Sequence, residues 1–64
     1  MNGTVKFFNR MQSFGFIAGE DGKEYFVHIS NVAEGVNLNE NDQVTFDVEE
    51  GDRGPKAVNV NKSG

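Results

Sequence analysis

The chain has no cysteine, one histidine, one proline and no long apolar run. Without cysteine there is neither a disulfide framework nor a thiolate metal site, so hydrophobic burial must carry the fold. A metal site would have to rest on carboxylates, and neither a metal nor any other cofactor is expected. No charged-then-apolar leader and no membrane-length segment occur, which points to a soluble cytoplasmic protein in a reducing compartment and away from a membrane. No stretch sustains a helical period, so helices are not available to cover a sheet. With 64 residues, a chain buries only about 60% of its unfolded surface. One domain, residues 1–64, and one small core are expected, with no second layer.

What is present begins with an uneven distribution of charge. Residues 1–19, 20–52 and 53–64 carry +2, −9 and +3, which together make the net charge of −4. An acidic chain is a poor candidate for binding phosphates, which need a basic footprint. Segregation changes the argument, because a fold that brings the two ends together presents a basic face beside an acidic remainder.

Five segments carry strand patterning: 3–10, 13–19, 24–29, 43–50 and 56–62. Asp21-Gly22 is a two-residue hairpin signal joining the second and third, since Gly accepts the positive φ of a primed turn. Gly51-Asp52-Arg53-Gly54-Pro55 punctuates the last two, with Pro55 at a strand entrance where its missing N–H costs no ladder bond. Ser30–Asp42 reads as a long connection with scattered Val32, Val36 and Leu38 and one helical turn near Ser30–Ala33. Five short strands without helices favour closure, because a barrel removes exposed sheet edges. The predicted fold is all-β, a small five-stranded antiparallel barrel.

In the fourth segment Val44, Phe46 and Val48 share one face and Thr45, Asp47 and Glu49 the other, an ordinary half-buried strand. The second and third segments are apolar on both faces. Phe14 and Phe16 oppose Gly15 and Ile17; Phe26 and His28 oppose Tyr25, Val27 and Ile29. With no layer to cover both faces, one must meet solvent. Ile17, Val27 and Ile29 make the better core, which leaves Phe14, Phe16, Phe26 and His28 outside as neighbours. An exposed aromatic cluster calls for a partner. Bases fit, since each stacks on an aromatic ring for about 1–3 kcal/mol while Lys or Arg holds the backbone. Lys6 and Arg10 flank Phe7 in the first segment, supplying both ingredients.

These residues resemble the cold-shock domain family, whose first ribonucleoprotein motif reads close to K-G-F-G-F-I and whose second reads close to V-F-V-H-F. Here they are Gln12-Ser13-Phe14-Gly15-Phe16-Ile17 and Tyr25-Phe26-Val27-His28-Ile29, and the likeness continues through Gly51–Val60. The resemblance implies an OB-type barrel that binds single-stranded RNA and DNA, favouring pyrimidines, and acts as an RNA chaperone melting weak secondary structure in the cold. Carried onto matching positions it adds Phe7 and Arg53, giving an expected binding surface of Lys6, Phe7, Arg10, Phe14, Phe16, Phe26, His28, Arg53 and Lys56. A monomer is expected. Phe7 stands where the family usually has Trp, Gln12-Ser13 replaces Lys-Gly, Ile29 replaces an aromatic, and Val36 lies near where another is common. These departures predict weaker binding than the family's usual.

Catalysis is disfavoured. Glu49 and Glu50 point to opposite faces of a strand and cannot pair as acid and base, and Ser30 near His28 lacks an orienting acid. The competing reading is a protein-interaction module of small-barrel type that grips a peptide with the same aromatic patch.

Overall fold

The computed structural model describes residues 1–52 and 54–63. Its elements are β1 (Asn2–Asn9), β2 (Phe14–Gly19), β3 (Glu24–His28), a single 3-10 turn (Ile29–Asn31), β4 (Gln43–Gly51) and β5 (Gly54–Lys62). The strands close into a barrel in the order β1-β2-β3-β5-β4. Each predicted segment is a strand, with boundaries moved by one or two residues. The barrel is not wholly antiparallel, because β3 and β5 run parallel where Phe26 meets Lys56. The long connection from β3 to β4 makes this possible, carrying the chain across an end of the barrel so that β5 returns beside β3.

Among the described residues nine side chains form the core: Val5, Ile17, Tyr25, Val27, Leu38, Val44, Phe46, Ala57 and Val60, with Phe8, Val32 and Val36 packed against them. Leu38 comes from the connection, where no strand pattern marks it, and only closure of the barrel shows that it is needed. Ile29 does not join the core as expected. It is 44% exposed, because β3 stops at His28 and the 3-10 turn breaks the alternation that would have carried Ile29 inward. Val48 is also exposed rather than inward. β1 accompanies β4 only from Gln43 to Thr45, so Val48 lies on a part of the β4–β5 ribbon that β1 does not flank.

The β2–β3 connection is longer than the two-residue turn that Asp21-Gly22 suggests. Ala18 pairs with Glu24, Gly22 takes φ 85° as anticipated, and its N–H donates to the Gly19 carbonyl at 3.0 Å. Asp21 folds back on this turn, accepting from the Tyr25 hydroxyl and the Lys23 backbone N–H. Those hydrogen bonds hold its carboxyl below the usual carboxylate range and push the Tyr25 phenol up. Pro55 pairs with Glu50 at the entrance of β5, as its chemistry requires.

Two irregularities in the ladders position side chains. In β1 the register passes from Val5↔Ile17 directly to Phe7↔Phe16, so Lys6 is an extra residue, a β-bulge. In β5 two residues, Asn59 and Val60, stand opposite Phe46 alone. Asn59 absorbs that bulge at φ 52°, a left-handed conformation that Asn tolerates better than most residues.

Candidate nucleic-acid interface

A regular strand would put Val5 and Phe7 on the same face, two residues apart. The bulge at Lys6 breaks that parity. Val5 stays fully buried opposite Ile17, while Phe7 turns outward beside Phe16 and is 40% exposed. Phe8 then faces inward against Gly15, where a Cβ would lie 2.3 Å from the Phe7 carbonyl oxygen. Glycine is therefore required between Phe14 and Phe16 so that β1 can approach β2 this closely.

The pairings lay out two outward rows. Phe7, Phe16, Phe26 and Lys56 form one, and Asn9, Phe14 and His28 the other. Ring centroids are 5.6 Å apart for Phe7–Phe16, 5.9 Å for Phe16–Phe26, 5.7 Å for Phe14–Phe26 and 6.2 Å for Phe7–Phe14. Most pairs are tilted or edge-on, the arrangement ring quadrupoles prefer. Apart from Ile29, the predicted face assignment holds: Phe14, Phe16 and Phe26 are half-buried on the outside while Gly15, Ile17, Tyr25 and Val27 are buried within. Phe7 completes a contiguous four-ring surface.

His28 ends β3 and caps the 3-10 turn, its Nδ1 accepting the Ser30 backbone N–H at 3.1 Å. That acceptor role places the proton of a neutral ring on Nε2 and fixes the imidazole beside Phe14. Ser30 Oγ also lies 2.9 Å from Nδ1. The contact belongs to the cap, and among the described residues no acid hydrogen-bonds to the ring to make a catalytic arrangement.

The cations are less available than their positions in the sequence suggest. Lys6 reaches across β2 to Glu24, Nζ to carboxylate oxygen 2.8 Å. Lys56 stands 3.8 Å from Glu49. Arg10 has a neutral partner, donating to the Asn39 side-chain oxygen at 3.1 Å. Arg53 lies outside the described residues. Glu24 and Asn39 thus tune the expected site residues, and sequence reasoning missed them because the Lys6–Glu24 and Arg10–Asn39 contacts span 18 and 29 residues. Ser13, in the turn that leads into β2, has φ 61°, so it occupies a left-handed position that suits the glycine usual in the motif.

A closed five-stranded barrel carrying both ribonucleoprotein motifs on adjacent strands is matched by the family model for the 'Cold-shock' DNA-binding domain, over residues 1–63. The chain belongs to the cold-shock domain family. It is 56% identical to cold shock protein 2 of Lactiplantibacillus plantarum, covering 92% of each chain. It is 50% identical to the major cold shock protein of Streptococcus pyogenes over 94% of this chain and 92% of that one. Cold shock-like protein CspC of Bacillus cereus is 48% identical, over 97% and 98%. Membership makes this a nucleic-acid-binding family protein rather than an enzyme. No described helix is long and apolar enough to cross a membrane.

Proposed function

We propose that this cold-shock domain binds single-stranded RNA and DNA, preferring pyrimidine-rich segments, as a cytoplasmic monomer that melts weak nucleic-acid secondary structure. The observation that carries the reading is the contiguous outward surface of Phe7, Phe14, Phe16 and Phe26, with centroids 5.6 to 6.4 Å apart. His28 extends it, and in this reading Lys6, Arg10 and Lys56, together with the Arg53 implied by the family resemblance, supply the contacts to phosphates.

A stacked base contributes about 1–3 kcal/mol, whereas a base-pair step in a DNA duplex contributes about 1.4 kcal/mol on average. Binding only the unpaired form shifts the equilibrium by mass action. Marginal hairpins are therefore opened and long duplexes are left intact, which is the behaviour of an RNA chaperone.

Titration of a fluorescein-labelled oligothymidine by anisotropy tests binding, and a short hairpin bearing a fluorophore and quencher tests melting. Saturable binding with loss of the hairpin's quenching is expected. A protein that ignores both oligonucleotides would turn the reading toward a peptide-gripping module using the same rings.

A further inference from the structure

Beside the aromatic patch a second surface opens where β1 loses its partner. β1 pairs with β4 only as far as Thr4, and Val5 bonds backbone groups of Asn41 and Asp42. From Lys6 onward its outer edge faces no strand among the described residues. The space between that edge, the β1–β2 turn and the connection is a groove of about 510 Å³, lined by Phe7, Phe8, Arg10, Met11, Leu38 and Asn39 among others. That volume lies within the ~300–1,000 Å³ of small-ligand clefts. Leu38 is buried against the core, while Met11 is 96% exposed. Phe7 lines the groove and belongs to the patch, so the two surfaces are continuous.

We infer that this groove is a further nucleotide subsite: a single strand leaving the patch over Phe7 enters it, with one phosphate on Arg10 and one pyrimidine base against Met11. The inference rests on the stacking function proposed above and adds a direction to it. Charge chooses the side. A phosphate approaching Lys6 or Lys56 must displace a carboxylate, Glu24 or Glu49. Arg10 offers a guanidinium whose one partner among the described residues is a neutral amide oxygen, and it keeps other N–H donors for an incoming anion. Glu40, also at the groove, repels phosphate and keeps the backbone on the Arg10 side. Met11 supplies a flexible, polarizable thioether that suits contact with a flat ring.

Tetrathymidine fills the four-ring patch, and octathymidine is long enough to continue into the groove. Both are titrated by anisotropy at several salt concentrations against the unmodified chain, Arg10→Gln, Arg10→Lys, Met11→Ala and Phe14→Ala. Arg10→Gln is expected to weaken octathymidine severalfold and to flatten its slope of log K against log salt by about 0.7, the share of one phosphate on a single strand. Tetrathymidine should be weakened much less than octathymidine, Arg10→Lys should retain the slope, and Met11→Ala should weaken the octamer alone. If Arg10→Gln and Met11→Ala leave the octamer's affinity and slope intact, or shift both lengths equally, the subsite does not exist. In that case, continued weakening of tetrathymidine by Phe14→Ala leaves the patch reading standing. Indifference of tetrathymidine to Phe14→Ala removes the patch reading and the subsite with it.

Discussion

Truncating Phe14 and truncating Ile17, three positions apart in one strand, should damage different properties of the protein. Ile17 has no exposed surface, and its change to Ala removes three carbons from a core of nine residues. At about 0.8 kcal/mol per buried methylene plus a cavity contribution, the loss is about 2–5 kcal/mol. A domain of this length has about 3–10 kcal/mol of stability in total at ~0.05–0.15 kcal/mol per residue, so Ile17→Ala should be marginal or unfolded. Val27→Ala, from a side chain equally buried, should cost somewhat less. Phe14 is half-exposed and touches Phe7, Phe16 and Phe26 at 6.2, 6.4 and 5.7 Å. Its removal forfeits part of three ring contacts, each worth about 0.5–1.5 kcal/mol, and also removes apolar surface from water, for a net cost of about 1–2 kcal/mol. Its effect on affinity should be larger in consequence, about 1–3 kcal/mol or some 5- to 150-fold. Urea melts followed by far-ultraviolet circular dichroism give stability. Oligothymidine anisotropy, corrected for the folded fraction, gives affinity. The face assignment is refuted if Phe14→Ala and Phe26→Ala unfold the chain while Ile17→Ala and Val27→Ala are harmless, or if the folded Phe14→Ala protein binds undiminished.

Phe7→Trp should tighten oligothymidine binding by a few tenths to about 1 kcal/mol through its larger ring, and equal or weaker affinity would mean that residue 7 does not meet a base. With Lys6 and Lys56 engaged by carboxylates, the salt slope should be shallow, about −1.5 to −3 for two to four phosphates; Glu24→Gln should release Lys6, raising affinity and steepening that slope, and an unchanged slope would show that Lys6 contacts no phosphate. Ser13→Gly relieves a left-handed residue and should stabilise by up to about 1 kcal/mol, since a relief of about 1–2 kcal/mol is partly offset by the freer unfolded chain; a lower urea midpoint would contradict this. Asp42 accepts from the Asn39 backbone N–H and lies beside Lys62, so its carboxyl, like that of Asp21, is held below the usual range. Folded-state values below unfolded ones give stability that is fully present above the ordinary carboxylate range and lost as pH falls through the folded values. Thermal midpoints should therefore hold from about pH 5 upward and fall below about pH 4, and Asp42→Asn should show a weaker acid dependence.

Local sequence determined the strands, because alternation at 43–47 and the doubly apolar runs at 14–17 and 25–28 are properties of neighbouring residues with a period of two. It determined the aromatic face as well, since a chain with no helical layer cannot cover both sides of those runs. Tertiary structure decided what depends on distant segments. Phe7 joins the patch only because a bulge at Lys6 reverses the parity of β1, and a bulge is a property of the β1–β2 pairing rather than of β1 alone. Leu38 entered the core and Ile29 left it because closure of the barrel needed one and the 3-10 turn displaced the other. The parallel contact of β3 with β5 follows from the path of the long connection, which no turn motif encodes. The neutralisation of Lys6 by Glu24 likewise exists only once β1, β2 and β3 lie side by side, because the energy of a charge pair depends on separation in space and not along the chain.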